Sequence, residues 1–193
     1  MQDIIETEID KTIATMQAVR ADAQLMADAQ QVAKHCVEAL KNGNKILFCG
    51  NGGSAADAQH LAAELVGKLN YNRPALAAIA LTTDTSALTA IGNDLGYAEV
   101  FSRQVEALGQ EGDVLIALST SGTSANVVRA AQVAKARGLM VIGKTGQSGG
   151  DMRALCDVCL CIPSTKTSNI QECHILLGHI YCGLIESECC PEA

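Results

Sequence analysis

The chain has 193 residues, 48% hydrophobic but only 3% aromatic, and it contains no Trp. That length suits a single domain, residues 1–193, with a core built from Ala, Leu, Ile and Val. A net charge of -7 disfavours non-specific nucleic-acid binding, and no apolar run approaches the length of a membrane span.

Met1-Gln2-Asp3 opens an acidic, amphipathic segment rather than a secretory signal, so a cytoplasmic location is expected. The odd count of nine cysteines then argues against a disulfide framework. Residues 1–42 read as a helical segment in front of an α/β core over 43–193. Ile5, Ile9, Ile13 and Met16 leave one apolar stripe, and Leu25 to Leu40 gives a second helical run. The first helix precedes any strand, so its stripe is expected against another subunit; folding back on its own domain is the alternative.

From Lys45 short apolar strands alternate with helices. Strands are expected at Lys45–Cys49, Leu76–Leu81, Val114–Leu118, Met140–Gly143 and Asp157–Ile162. Helices are expected at Ser54–Leu69, Asp84–Ile91, Tyr97–Leu108, Ala125–Arg137, Gly149–Leu155 and about Ser168–Glu188. Continuous apolar runs suit strands buried on both faces, which gives a doubly wound, five-stranded parallel sheet flanked by helices. Ligands bind such sheets at the carboxyl ends of the strands.

The first strand runs into Gly50-Asn51-Gly52-Gly53-Ser54. The glycines let a ligand approach the backbone, and Ser54 is expected to cap the next helix and touch the ligand; a plain tight turn is the alternative. The third strand runs into Ser119-Thr120-Ser121-Gly122-Thr123-Ser124. Hydroxyls, free backbone N–H groups and the following helix N-terminus can all meet a phosphate there. Ser124 alone would suffice as an ordinary cap. Thr82 to Ser86 and Gly92-Asn93-Asp94 read either as loops that bind substrate hydroxyls or as caps and turns.

His60 and Glu64 share one face of their helix, being four apart, and Gln171 and His179, eight apart, share one face of the last helix. If the four converge, two imidazoles and a carboxylate suit zinc, or Glu64 and His179 form an acid/base pair. The alternative is a surface pair plus packing histidines. Glu172 and His174 compete for the same roles. Cys156-Asp157-Val158-Cys159-Leu160-Cys161 is disfavoured as a metal centre, because strand positions three apart face opposite sides, so Cys156 and Cys159 should diverge. Cys189 and Cys190 are expected to be exposed.

These segments resemble the sugar isomerase (SIS) domain family and, more closely, its bacterial phosphoheptose isomerase branch. The resemblance rests on Cys49 to His60 with Glu64, on Ala90-Ile91-Gly92-Asn93-Asp94, on Leu118 to Ser124, and on Ile170-Gln171-Glu172 through His179. It covers nearly the whole chain. It implies conversion of D-sedoheptulose 7-phosphate to D-glycero-D-manno-heptose 7-phosphate through an enediol, the first step toward the heptose of lipopolysaccharide. It implies a homotetramer with active sites between subunits. It implies phosphate held at Ser119, Thr120, Ser121 and Ser124, further substrate contacts at Asn51, Gly52, Ser54, Asn93, Asp94 and Gln171, and Glu64 and His179 as acid and base. In some members the matches to His60, Glu64, Gln171 and His179 surround one zinc ion per subunit.

Two positions depart from the family pattern: Lys68 and Asn169 stand where Arg is usual, and neither keeps a bidentate guanidinium fork. Three other functions fit the same fold: a non-catalytic binding protein of the replication-initiator-associating type, an isomerase for another ketose phosphate, and a sugar-phosphate sensor. The presence of Glu64 and His179 favours the isomerase over the binding protein. The sensor would usually carry a DNA-binding helical domain, which the acidic N-terminal segment does not resemble.

Overall fold

A computed structural model describes residues 1–192. Its elements run α1 (Gln2–Ala21), α2 (Ala23–Lys41), β1 (Ile46–Gly50), α3 (Gly53–Val66), β2 (Ala78–Ala80), α4 (Thr85–Asp94), α5 (Ser102–Leu108), β3 (Val114–Leu118), α6 (Ala125–Ala136), β4 (Met140–Thr145), β5 (Val158–Cys161) and α7 (Thr167–Cys189). The sheet is parallel throughout, in the order β2-β1-β3-β4-β5.

The apolar runs form strands because each side chain has a core to enter on either face. Ile46 and Phe48 of β1 pack with α2, α3 and α7, whereas Leu47 and Cys49 pack with Val105 of α5 and Val127 of α6. The chain leaves β1 toward β2 on one side and returns as β3 on the other, so the order reverses at the β1–β3 seam. Gly50 pairs with Leu118, which starts the Asn51 and Ser119 loops side by side at the carboxyl edge.

At the opposite edge Asp113 ties β3 to the chain entering β1. Its buried carboxylate accepts from Lys45 N at 2.9 Å, Lys45 Nζ at 2.6 Å and Gln110 N at 2.8 Å. Burial alone would raise its pKa, but these bonds hold it below the ordinary aspartate range. Because the folded value is depressed, the contribution is complete above the ordinary value and is lost as pH falls through the folded one. Asp113→Asn is expected to cost about 3–5 kcal/mol at neutral pH, as for breaking a buried ion pair. Denaturant unfolding checks this, and the gap from wild type should narrow in acid.

Several expectations need correction. Gly149–Leu155 is not a helix but a short 3₁₀ turn, Gly150–Met152, because successive glycines at positive φ break the helical path. The Tyr97–Leu108 helix is split into a 3₁₀ turn, Tyr97–Glu99, and α5. Gly92-Asn93-Asp94 is no loop but the last turn of α4. Cys156 lies before β5, outside strand alternation, so it turns back onto Cys159. Both sulfurs lie where a side chain on Gly143 would stand. Cys189 and Cys190 are half-buried rather than exposed.

The first helix divides its allegiance. Thr12 Oγ1 donates to Glu172 at 2.8 Å, Lys166 pairs with Glu8, and Val19 is buried, so α1 does fold back on α7. Ile4, Ile5, Ile9 and Ile13 nevertheless remain 67%, 60%, 54% and 46% exposed. Among the described residues, no helix is long and apolar enough to cross a membrane.

Candidate active site

Three side chains from two helices meet beside the carboxyl edge of the sheet. His60 and Glu64 stand on α3 and His179 on α7. His60 Nε2 lies 2.8 Å from His179 Nε2, with the rings edge-on at 90°, and 3.3 Å from Glu64 Oε1. One ligand atom from each falls within 4.8 Å of the others. Two imidazole nitrogens this close cannot both carry a proton toward each other, so one must accept, or both must face a common cation. Of the four side chains expected to converge, His60, Glu64 and His179 meet, and His60 and Glu64 also make the i,i+4 pair of the alternative, with His60 half-exposed.

Gln171 stands two turns before His179 on α7. Its Nε2 donates to Asp57 Oδ1 at 2.6 Å, and its aliphatic part lies against Gly53. Asp57 is buried; burial pushes its carboxyl above the ordinary range, opposed by the Gln171 bond and by Lys144, His60 and His179. Lys144 of β4 is fully buried with Nζ over the Tyr181 ring, and it donates to the His174 carbonyl. Desolvation brings its pKa down to about 7, against attraction to Asp57. The competitors face elsewhere. His174 is wholly buried, its ring beside the Thr145 carbonyl and its pKa pushed by burial to about 3. Glu172 accepts from Thr12 and Asn169.

The hydroxyl loop follows β3. Ser119 Oγ donates to Ser124 Oγ at 2.9 Å and lies 3.3 Å from Ser121 Oγ, while Gly122 N donates to Ser119 Oγ. Ser124 is the residue before α6 yet makes no side-chain cap bond, so capping does not explain this cluster. Gly122 has φ +69° and touches the Gly149–Gly150 backbone where a Cβ would stand. The turn thus requires glycine. Thr120, half-buried, contributes its carbonyl to Gly146 N.

Asn51 joins the two loops: its amide exchanges hydrogen bonds with Asn126 at 2.8 and 2.9 Å, and Tyr97 Oη donates to Asn51 Oδ1 at 3.1 Å. Gly52, at φ +56°, is the residue before α3, and Ser54 is buried in its first turn, so the expected Ser54 cap is corrected: no side chain caps this helix. The Ser54 N–H donates instead to the Asn51 carbonyl, and those of Ala55 and Ala56 donate to the Gly52 carbonyl. Asn93 and Asp94 bond to each other at 2.7 Å and are exposed; the structure does not bring them into contact with the other site residues. Asp84 caps α4 and Thr83 bonds the Ala80 carbonyl, as turn residues do. Asn169 is buried and donates to Thr12 Oγ1 at 2.8 Å, whereas Lys68 is exposed.

Sequence reasoning missed Asp57, Tyr97, Asn126 and Lys144. Asp57 was detectable, since 57, 60 and 64 lie on one helix face. Lys144 was detectable as the lone charge in an apolar strand.

Residues 9–146 match the family model described as SIS domain. The chain is 51% identical over 186 residues to a phosphoheptose isomerase from Aneurinibacillus thermoaerophilus, covering 96% of this chain and 94% of that protein. It is 55% identical over 169 residues to one from Akkermansia muciniphila, covering 88% and 89%. The solved phosphoheptose isomerase of Neisseria gonorrhoeae aligns with a TM-score of 0.91 at 49% identity, over 96% of this chain and 98% of that one.

Proposed function

The chain belongs to the SIS domain family and, within it, to the phosphoheptose isomerases, and on that premise we propose that it converts D-sedoheptulose 7-phosphate to D-glycero-D-manno-heptose 7-phosphate through an enediol. The observation that carries this reading is the meeting of His60, Glu64 and His179 on the two helices that also carry Ser54 and Gln171. Moving a carbonyl from C2 to C1 needs a base at the C1 proton, an acid at O2 and return of a proton to C2. In our reading Glu64 and His179 share those roles. Ser119, Thr120, Ser121 and Ser124 hold the phosphate at the α6 N-terminus. Asn51, Gly52, Ser54, Asn93, Asp94 and Gln171 bind the sugar, and Asn51 is steadied by Asn126 and Tyr97.

The donor set of two imidazole nitrogens and a carboxylate within 4.8 Å fits a zinc ion, with Gln171 as a fourth ligand. Bound there, zinc would polarise the substrate oxygens as a Lewis acid. A residue that ligates zinc is a weaker base, and this holds for His179 as for Glu64, so the metal account and the acid/base account give these two residues different roles. Chelator treatment is expected to remove about one zinc per subunit by elemental analysis and to lower the melting temperature, restored by added zinc. Unchanged metal content and melting would leave the metal-free acid/base account.

We also place the enzyme in the cytoplasm as a single-domain homotetramer with sites between subunits, at the first step of heptose supply to lipopolysaccharide. Nine free cysteines and the apolar faces left open on α1 and on Leu176, Ile180 and Leu184 of α7 support that placement.

Ser121→Ala and Ser124→Ala are each expected to raise KM for the sugar phosphate by about 10- to 100-fold. Each removes a bond to a charged group, and binding lost equally from ground and transition states leaves kcat little changed. Steady-state kinetics check this, and a changed kcat at constant KM would argue against the phosphate assignment. Wild-type protein given sedoheptulose 7-phosphate should accumulate the aldose phosphate, and failure of folded, zinc-supplied protein to do so would contradict the function.

A further inference from the structure

The side chain that holds Gln171 stands one turn before His60 on α3. Asp57 is 5% exposed, and its Oδ1 takes the 2.6 Å hydrogen bond from Gln171 Nε2. Its second oxygen is buried without a hydrogen-bond partner among the described residues. Lys144, buried behind it on β4, supplies the counter-charge. A primary amide has a donor end and an acceptor end, whereas a carboxylate only accepts. Facing Asp57, the Gln171 amide therefore has one orientation: NH₂ inward and carbonyl oxygen away. The aliphatic part of Gln171 lies over Gly53, its Cγ 3.6 Å from where a Cβ would stand.

We propose that Asp57 is a positioning residue that locks the Gln171 amide, so that its carbonyl oxygen rather than its NH₂ group is offered to the metal or substrate held by His60, Glu64 and His179. The proposal rests on the functional reading above only for what Gln171 then meets; the lock itself is a property of the contact. Ligand-orienting partners of this kind change metal affinity without touching the metal. An amide free to flip would present a donor to a cation half the time.

The test uses the full-length protein labelled with ¹⁵N at glutamine, the Gln171 side-chain signal being the one lost in Q171M. In wild type, exchange of that NH₂ with solvent should be slowed about tenfold or more relative to exposed glutamines, as a bond to a charged acceptor requires. In D57N the slowing should be lost, and zinc affinity, measured by competition with a chromophoric chelator, should fall about 10- to 100-fold with native circular dichroism retained. In D57N/Q171E the donor and acceptor are exchanged across the same contact, and zinc affinity should return to within a few-fold of wild type. A role in stability alone predicts lowered melting in both variants with no recovery. Wild-type zinc affinity in D57N, or a Gln171 NH₂ that exchanges as freely as exposed glutamines in wild type, overturns the proposal. If wild type binds no zinc, the metal reading fails, and the exchange measurement still decides the role of Asp57. If D57N does not fold, the wild-type exchange rate decides it alone.

Discussion

Glu64→Gln lowers kcat by about 10²- to 10⁴-fold while leaving the fold intact by circular dichroism, the loss expected when a general acid/base is removed. The substitution keeps the volume of a side chain only 17% exposed and 3.3 Å from His60 Nε2. An amide can neither take a proton from C1 nor return one. The size of the loss is shared by the two accounts of Glu64, as proton carrier and as metal ligand, but zinc content separates them. If Glu64 is chiefly the base, Glu64→Gln retains zinc and loses turnover. If it is chiefly a ligand, zinc affinity falls alongside. Kinetics and elemental analysis on one preparation give both numbers, and a variant turning over near the wild-type rate removes Glu64 from the chemistry.

Arg73→Met has a large expected effect on stability. Arg73 Nε donates to Glu186 at 3.1 Å, Nη1 to the Leu65, Pro74 and Gly67 carbonyls at 2.7, 2.9 and 3.2 Å, and Nη2 to the Glu64 carbonyl at 2.8 Å. The two charged side chains are 2% and 0% exposed. Glu186 also accepts from the Leu69 and Asn70 amides at 2.9 and 2.8 Å. Arg73 thus caps the C-terminal end of α3 and joins it to α7, the two helices that present His60, Glu64 and His179. Removing it leaves Glu186 buried without its cation and orphans the helix carbonyls. The cost is about 3–5 kcal/mol, or a melting temperature lower by about 6–20 °C for a chain of this size. Calorimetry measures it. A fall below about 1 kcal/mol would mean that this bridge does not hold the helices together.

The strands were legible because burial on both faces writes an unbroken apolar run, as at Val114–Leu118, where expected and observed bounds coincide. Polar residues with a reason to be in a loop were legible too: five hydroxyls around Gly122 exceed what a cap needs, and the structure bonds those of Ser119, Ser121, Thr123 and Ser124 to one another. Less visible was anything decided by packing between distant segments. Asp57 reads as an ordinary helix residue until α7 brings Gln171 onto it, and Lys144 reads as a strand impurity until Asp57 and Tyr181 surround it. Cys156 was misread because strand alternation was extended to a residue that precedes the strand. Gly149–Leu155 was misread because helix formers outvoted two glycines. Asn93 and Asp94 bond to each other, and the fold does not place them against the other candidate residues.

The central claim is an enediol isomerase in which Glu64 takes part. The most direct measurement is an NMR assay of the protein with sedoheptulose 7-phosphate in heavy water, beside Glu64→Gln. Proton transfer by an enzyme base exchanges with solvent, so the account predicts an aldose phosphate carrying deuterium at C2, formed by wild type and not by the variant. Neither product nor deuterium incorporation from folded, zinc-supplied wild type would contradict it.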